Sequence, residues 1–168
     1  KESFEKIYKL KDIGIENDER NIILSLGRIH PKKGIYNLLK VWKNSNFMFN
    51  KWRLIIAGFP DEKYLKLLES YIFDNKLSGS VTILGPMLGD KLINIYRNSK
   101  IFVLPTFSEN FGLVVAEALS YGLPTLTTNG APWEILEDEN AGWCSEPSIE
   151  DLRNVFLKIS NLDDKTYK

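Results

Sequence analysis

The 168-residue chain is 43% hydrophobic, which fits one globular domain with an adequate core. Its 22 basic and 22 acidic residues cancel, so no global charge draws it to nucleic acid. The single cysteine, Cys144, excludes an internal disulfide and points to a reducing compartment, no apolar run reaches the roughly 18 residues that span a bilayer, and no signal-peptide pattern is present.

The chain opens on Lys1 rather than Met, as a piece of a longer protein would. Residues 1–20 are charged and read as an arm or linker, with a short helix near 2–10 and a loop at Gly14 to Arg20. Asn21 to Leu26 is an apolar, β-branched strand that ends at Gly27. Gly27 to Gly34 is a loop. Ile35, Leu38, Leu39 and Trp42 then recur at helical spacing. Trp52 to Ala57 is a second strand, closed by Gly58-Phe59-Pro60. Asp61 to Asn75 is an amphipathic helix with Asp61 as N-cap. Val81 to Leu84 is a third strand, ended by Gly85-Pro86, and Asp90 to Asn98 is a short helix.

Ile101 to Leu104 is a fourth strand, followed by a polar loop and a helix that starts near Phe111 or Gly112. Gly122 and Pro124 stop that helix. Thr125 to Thr128 is a fifth strand. Asn129 to Trp133 starts a short helix, with Pro132 suited to its first position. Gly142 to Ser145 is a sixth strand, and Ser148 to Leu162 the last helix, started by Pro147 or Ser148. The strands are continuous apolar runs alternating with helices. That pattern predicts an α/β fold: a Rossmann-like, doubly wound parallel sheet of about six strands, with helices on both faces. Ligands of such sheets bind outside the carboxyl ends of the strands. Five glycine-bearing loops, at Gly27, Gly58, Gly85, Gly112 and Gly130, are expected to line one crevice there.

Residues 101–124 carry the most chemistry. Glu109 lies in the loop and Glu117 in the second helical turn, so both can face one spot above the strand end. Gly112 allows close backbone approach, and the helix start favours an anion. Carboxylates beside an anion repel it, so these two serve neutral hydroxyls. An anion with many hydroxyls describes a sugar phosphate or a nucleotide sugar. Arg28 and Lys33, at the neighbouring strand end, suit a diphosphate, Arg as a fork and Lys as a point charge.

Each of these residues alone reads more readily as a solvated surface side chain, and only their joint occurrence around a glycine-bearing helix start favours a functional reading. A glycosidase-type carboxylate pair remains an alternative for Glu109 and Glu117. His30, the only histidine, reads as structural or as a minor ligand contact rather than a general base. Trp42, Phe47 and Trp52 read as core. Trp133 and Trp143 suit either the core or the crevice wall, the core first. One His and one Cys cannot make the usual zinc site, and no Asp-x-Asp offers a metal to a diphosphate. Neither a P-loop nor Gly-x-Gly-x-x-Gly follows the first strand.

Two motifs, Gly27-Arg28-x-x-x-x-Lys33-Gly34 and Glu109-x-Phe111-Gly112-Leu113-x-x-x-Glu117-Ala118, carry a family resemblance. With Gly122-x-Pro124 downstream, the chain from about residue 20 to 160 resembles the C-terminal domain of retaining family 4 (group 1) glycosyltransferases, which have the two-domain GT-B fold. The resemblance implies that residues 21–168 form the donor-binding domain and that the acceptor-binding N-terminal domain lies outside this chain. It implies that Gly27, Arg28, Lys33, Gly112 and Leu113 meet the donor diphosphate. Glu109, Asn110, Phe111 and Gly112 meet the donor sugar, Glu117 the ribose, and Leu84, Gly85 and Met87 the base. Arg28, Lys33 and Glu109 are the implied catalytic residues.

The implied reaction is metal-independent, retaining hexosyl transfer from a UDP-sugar, or next a GDP-sugar, with no cofactor. The implied acceptor is a glycan or lipid-linked sugar of bacterial surface polysaccharide synthesis. The implied location is cytoplasmic, with the full-length protein resting peripherally on the inner face of the plasma membrane. A non-catalytic nucleotide-sugar module and a nucleotide-sugar epimerase of the same architecture are the alternatives. An epimerase should carry acid/base groups around the sugar, and one histidine serves that poorly.

Overall fold

The computed structural model describes residues 18–161. The expected helix near residues 2–10 and the side chain of Phe47 lie outside what it describes. Six strands form one sheet: β1 (Asn21–Leu26), β2 (Trp52–Ala57), β3 (Val81–Leu84), β4 (Ser99–Leu104), β5 (Thr125–Thr128) and β6 (Gly142–Ser145). All pairs are parallel, in the order β3-β2-β1-β4-β5-β6. That is the strand order of the Rossmann fold, here built without its glycine fingerprint.

The central strands β1, β2 and β4 bury both faces over most of their length, which is why they read as apolar runs. Ile23, Leu54, Ile56, Ile101, Val103 and Leu126 face one layer. There they pack on α1 (Ile35–Lys43), α2 (Glu62–Asp74) and α6 (Ile149–Ser160) through Leu38, Trp42, Leu68, Ile72, Leu152 and Phe156. Leu24, Leu26, Ile55, Phe102 and Leu104 face the other layer. That layer is closed by α3 (Asp90–Asn98) and α4 (Leu113–Ser120) through Ile95, Tyr96, Val115 and Ala118. Trp42 and Trp52 are buried, as expected of core tryptophans.

The helix ends follow their caps. Asp61 accepts from the Tyr64 N–H at 2.9 Å, and Ser148 Oγ accepts from the Asp151 N–H at 3.0 Å. Helix α4 starts where expected, at Leu113, with Gly112 as its N-cap in the left-handed region (φ 77°). The helix expected to start within Asn129 to Trp133 begins only at Ile135, as α5 (Ile135–Asp138). Residues before it are held in turns: the Ala131 N–H donates to Thr128 O at 3.0 Å and the Trp133 N–H to Ala131 O at 2.8 Å. Pro132 therefore sits in a turn, not at a first helical position. No helix among the described residues is long and apolar enough to cross a membrane.

Candidate functional site

Strand order reverses between β1 and β4, because β1 turns toward β2 and β4 toward β5. The loops after these two strands diverge there and open the crevice that such sheets use for ligands. An open cleft of about 500 Å³ lies at this point. Leu26, Gly27, Arg28 and Lys33 line it from the β1 side, and Leu104 and Glu109 through Val114 from the β4 side. The two sequence motifs thus share one cavity. The glycine loops do not all line it. Gly58 backs onto Gly27, where a Cβ would come within 1.7 Å of Gly27 O, and Gly130 backs onto Thr106 O in the same way, at 2.5 Å. These glycines hold the walls from behind.

The β1 loop is shaped by one 3-10 turn, Pro31–Lys33. His30 caps it: its Nδ1 accepts from the Lys32 N–H at 3.2 Å. The only histidine is therefore structural here. The turn ends at Gly34 with φ 67°, where a Cβ would lie 1.9 Å from Pro105 O. Lys32 O accepts from both the Phe107 N–H (2.9 Å) and Thr106 Oγ1 (3.1 Å). The two loops are thereby bolted together beneath the cleft, and Lys33 is aimed across it.

Lys33 Nζ donates to Glu109 Oε2, with both side chains about one-fifth exposed. The cation expected on a diphosphate and the carboxylate expected on a sugar thus hold each other. Arg28 is exposed and makes no ion pair among the described residues. Helix α4 has no side-chain cap; the Val115 N–H donates to Gly112 O at 2.8 Å, and Leu113 and Val114, the first two residues of the helix, line the cleft. Glu109 is set by its own N–H, which donates to Gly130 O at 2.7 Å. Trp133 Nε1 donates to Phe111 O at 2.5 Å, and the two rings lie 5.2 Å apart. Trp133 is half-buried: it packs against the second core layer, as expected, and also braces Phe111 at the cleft wall.

Glu117 lies one turn beyond the cleft lining. Its Oε2 accepts from Tyr96 Oη at 2.9 Å. Leu84 and Met87 are buried with Leu26 and Leu104, so their side chains face the core. Gly85 O accepts from the Gly58 N–H at 3.1 Å. Cys144 is half-buried, and burial, then Glu134, Glu137 and Glu146, push its thiol above the ordinary value. It is not a thiolate nucleophile. No group of three or more His, Cys, Asp or Glu able to hold a metal occurs among the described residues. Sequence reasoning missed Tyr96, which the spacing marks only as a helical residue, and the bracing role of Trp133.

A family model described as glycosyl transferases group 1 matches residues 7–168. An uncharacterized glycosyltransferase of Methanocaldococcus jannaschii is 32% identical over 139 residues, covering 82% of this chain and 35% of the relative. The amylovoran biosynthesis glycosyltransferase AmsD of Erwinia amylovora is 32% identical over 123 residues, covering 72% of this chain and 33% of that protein. The chain thus spans about a third of the length of these relatives. Among solved structures, Anabaena HepE in complex with UDP superposes with a TM-score of 0.78 at 19% identity, over 95% of this chain and 46% of that one. At that identity the likeness concerns the fold.

Proposed function

The chain belongs to the group 1 glycosyl transferases, and on that premise we propose that it is the donor-binding domain of a retaining family 4 enzyme. It binds a nucleoside diphosphate sugar, a UDP-sugar first and a GDP-sugar next. The carrying observation is the cleft at the β1/β4 divergence, where Arg28, Lys33 and the uncapped start of α4 converge beside Glu109. Two side-chain cations and a helix N-terminus suit a diphosphate. Glu109 offers acceptors to sugar hydroxyls, and Glu117 to the ribose.

In the reaction, the C–O bond between the sugar's anomeric carbon and the distal phosphate breaks, and the phosphate oxygen leaves with the electron pair. Arg28, Lys33 and the α4 N–H groups stabilise that growing negative charge, which lowers the barrier to an oxocarbenium-like sugar. The acceptor hydroxyl then adds on the face that retains configuration, and its O–H bond breaks as the proton passes to the departing phosphate oxygen. No metal is required, because fixed cations do this work. The acceptor, a glycan or lipid-linked sugar, is brought by a separate N-terminal domain. AmsD's role in amylovoran biosynthesis supports a polysaccharide product, and the UDP complex of HepE supports the uridine donor.

A thermal-shift panel of UDP-, GDP- and ADP-sugars tests the reading. A ligand at 100 times its Kd stabilises by about 2.7 kcal/mol, or roughly 5–10 °C for a domain of this size. The expected outcome is such a rise with a UDP-sugar at millimolar concentration, undiminished by a chelator. No rise with any nucleotide sugar overturns the donor-domain assignment. A rise abolished by the chelator overturns metal independence.

A further inference from the structure

We propose that Tyr96 is a positioning residue for nucleotide recognition, fixing the Glu117 carboxylate so that it reads a vicinal diol. The inference rests on the assignment of Glu117 to the ribose and adds the element that makes that assignment selective. Glu117 is an exposed residue on α4, and a free glutamate there would sample several rotamers. Its Oε2 is instead held by Tyr96 Oη at 2.9 Å.

Tyr96 is itself buried. Its side chain is 1% exposed, on α3, between two rings. Tyr121 stacks parallel on it, with centroids 4.9 Å apart and planes 8° apart, and Phe102 of β4 flanks it at 6.3 Å. Tyr121, the C-cap of α4, follows Glu117 by four residues and so lies on the same side. One buried ring thus ties α3 to Glu117 and to the C-cap of α4.

The chemistry is directional. Burial first, then the bond to Glu117, push the Tyr96 phenol far above its ordinary value, so it keeps its proton and acts as donor. Glu117, ionised, is an acceptor only. With one lone pair of Oε2 taken, Oε1 and the remaining lone pair of Oε2 are left for ligand hydroxyls. Two adjacent hydroxyl donors, as on a ribose, satisfy that set, whereas a ring without them leaves the carboxylate unmatched.

The test is calorimetric titration of UDP and of 2′,3′-dideoxy-UDP into the wild type, Tyr96→Phe and Glu117→Gln. The wild type is expected to prefer UDP. Tyr96→Phe keeps the ring and removes only the hydroxyl. It is expected to weaken UDP by about three- to tenfold, on the scale of one ordinary net hydrogen bond, and to leave the dideoxy nucleotide unchanged. Tyr121→Leu, at a side chain 38% exposed, removes the stack without threatening the fold and is expected to narrow the same gap.

If Glu117→Gln closes the gap while Tyr96→Phe and Tyr121→Leu preserve it, the positioning role is overturned and the ribose assignment stands. Equal losses for both nucleotides in Tyr96→Phe mark a merely structural tyrosine and overturn it too. If the wild type binds UDP with no preference over the dideoxy form, the ribose assignment itself falls. If it binds neither, the donor-site reading falls with it.

Discussion

Lys33 and Glu109 hold each other across the cleft, so a phosphate arriving at Lys33 must displace a carboxylate already there. A partly exposed pair of this kind is worth up to about 1 kcal/mol. On the proposed donor-site reading, free nucleoside diphosphate competes with Glu109, while a sugar-bearing donor offers Glu109 new hydroxyl partners as Lys33 leaves. That reading has the two ligands discriminated by a charge exchange. Glu109→Gln is expected to strengthen free UDP by up to about fivefold, the equivalent of that energy, and to weaken the UDP-sugar. Arg28→Ala and Lys33→Ala are expected to weaken both. Calorimetry with the two ligands separates these cases, and equal losses for both in Glu109→Gln would refute the exchange.

At the scale of elements, the site depends on one loop lying against another. Gly34 is the contact point, with φ 67° and Pro105 O where its Cβ would be. Gly34→Ala adds left-handed strain, about 1–3 kcal/mol, and a backbone overlap of similar size. The expected result is a loss of at least about 2 kcal/mol, a fall in Tm of several °C, and weaker nucleotide binding as Lys33 loses its aim. An unchanged Tm would show that the two loops are not bolted at this point. Much of this level was legible in the sequence. The apolar runs fell on β1, β2 and β4 because the middle of the sheet is buried on both faces, and the Asp61 and Ser148 caps lay at their helix starts. The start of α5 was not legible, because turn hydrogen bonds from Ala131 and Trp133 outweigh the preference of Pro132 for a first helical position. The glycines were legible as loops but not by role, since a sequence does not say whether a ligand or another backbone fills the missing Cβ.

At the scale of the whole molecule, strand order is what the sequence could not display. Lys33 and Glu109 are 76 positions apart, and only the placement of β1 beside β4 makes them neighbours. The same parallel order gives the sheet two poles with separate tasks. The carboxyl ends hold the cleft, and the amino ends hold a charge network. There Asp18 accepts from Arg20 Nη2 and from Arg53 Nη1, each at 2.6 Å, and Arg53 Nη2 reaches Thr82 Oγ1 at 2.9 Å. Arg20 also donates to Gly79 O at 2.9 Å. The network thus ties the start of β1 to β2 and β3. Hydrogen bonds from Arg20, and then Arg53, outweigh burial and hold the Asp18 carboxyl far below the carboxylate range. Because the folded pKa is depressed, this stability is fully present above the unfolded value of about 3.9 and is lost as pH falls below it. Asp18→Asn is expected to destabilise the protein at pH 7 by about 1.5–3 kcal/mol, the scale of hydrogen bonds to charged groups. The difference from wild type should shrink as pH drops below about 4. Nucleotide affinity at pH 7 should stay the same, because the network lies at the opposite pole from the cleft. Denaturant melts of both proteins from pH 3 to 7, with a UDP titration at pH 7, measure all three quantities. A pH-independent difference would dismiss the ionised Asp18 as the source, and a loss of UDP affinity would show that the two poles are coupled through β1.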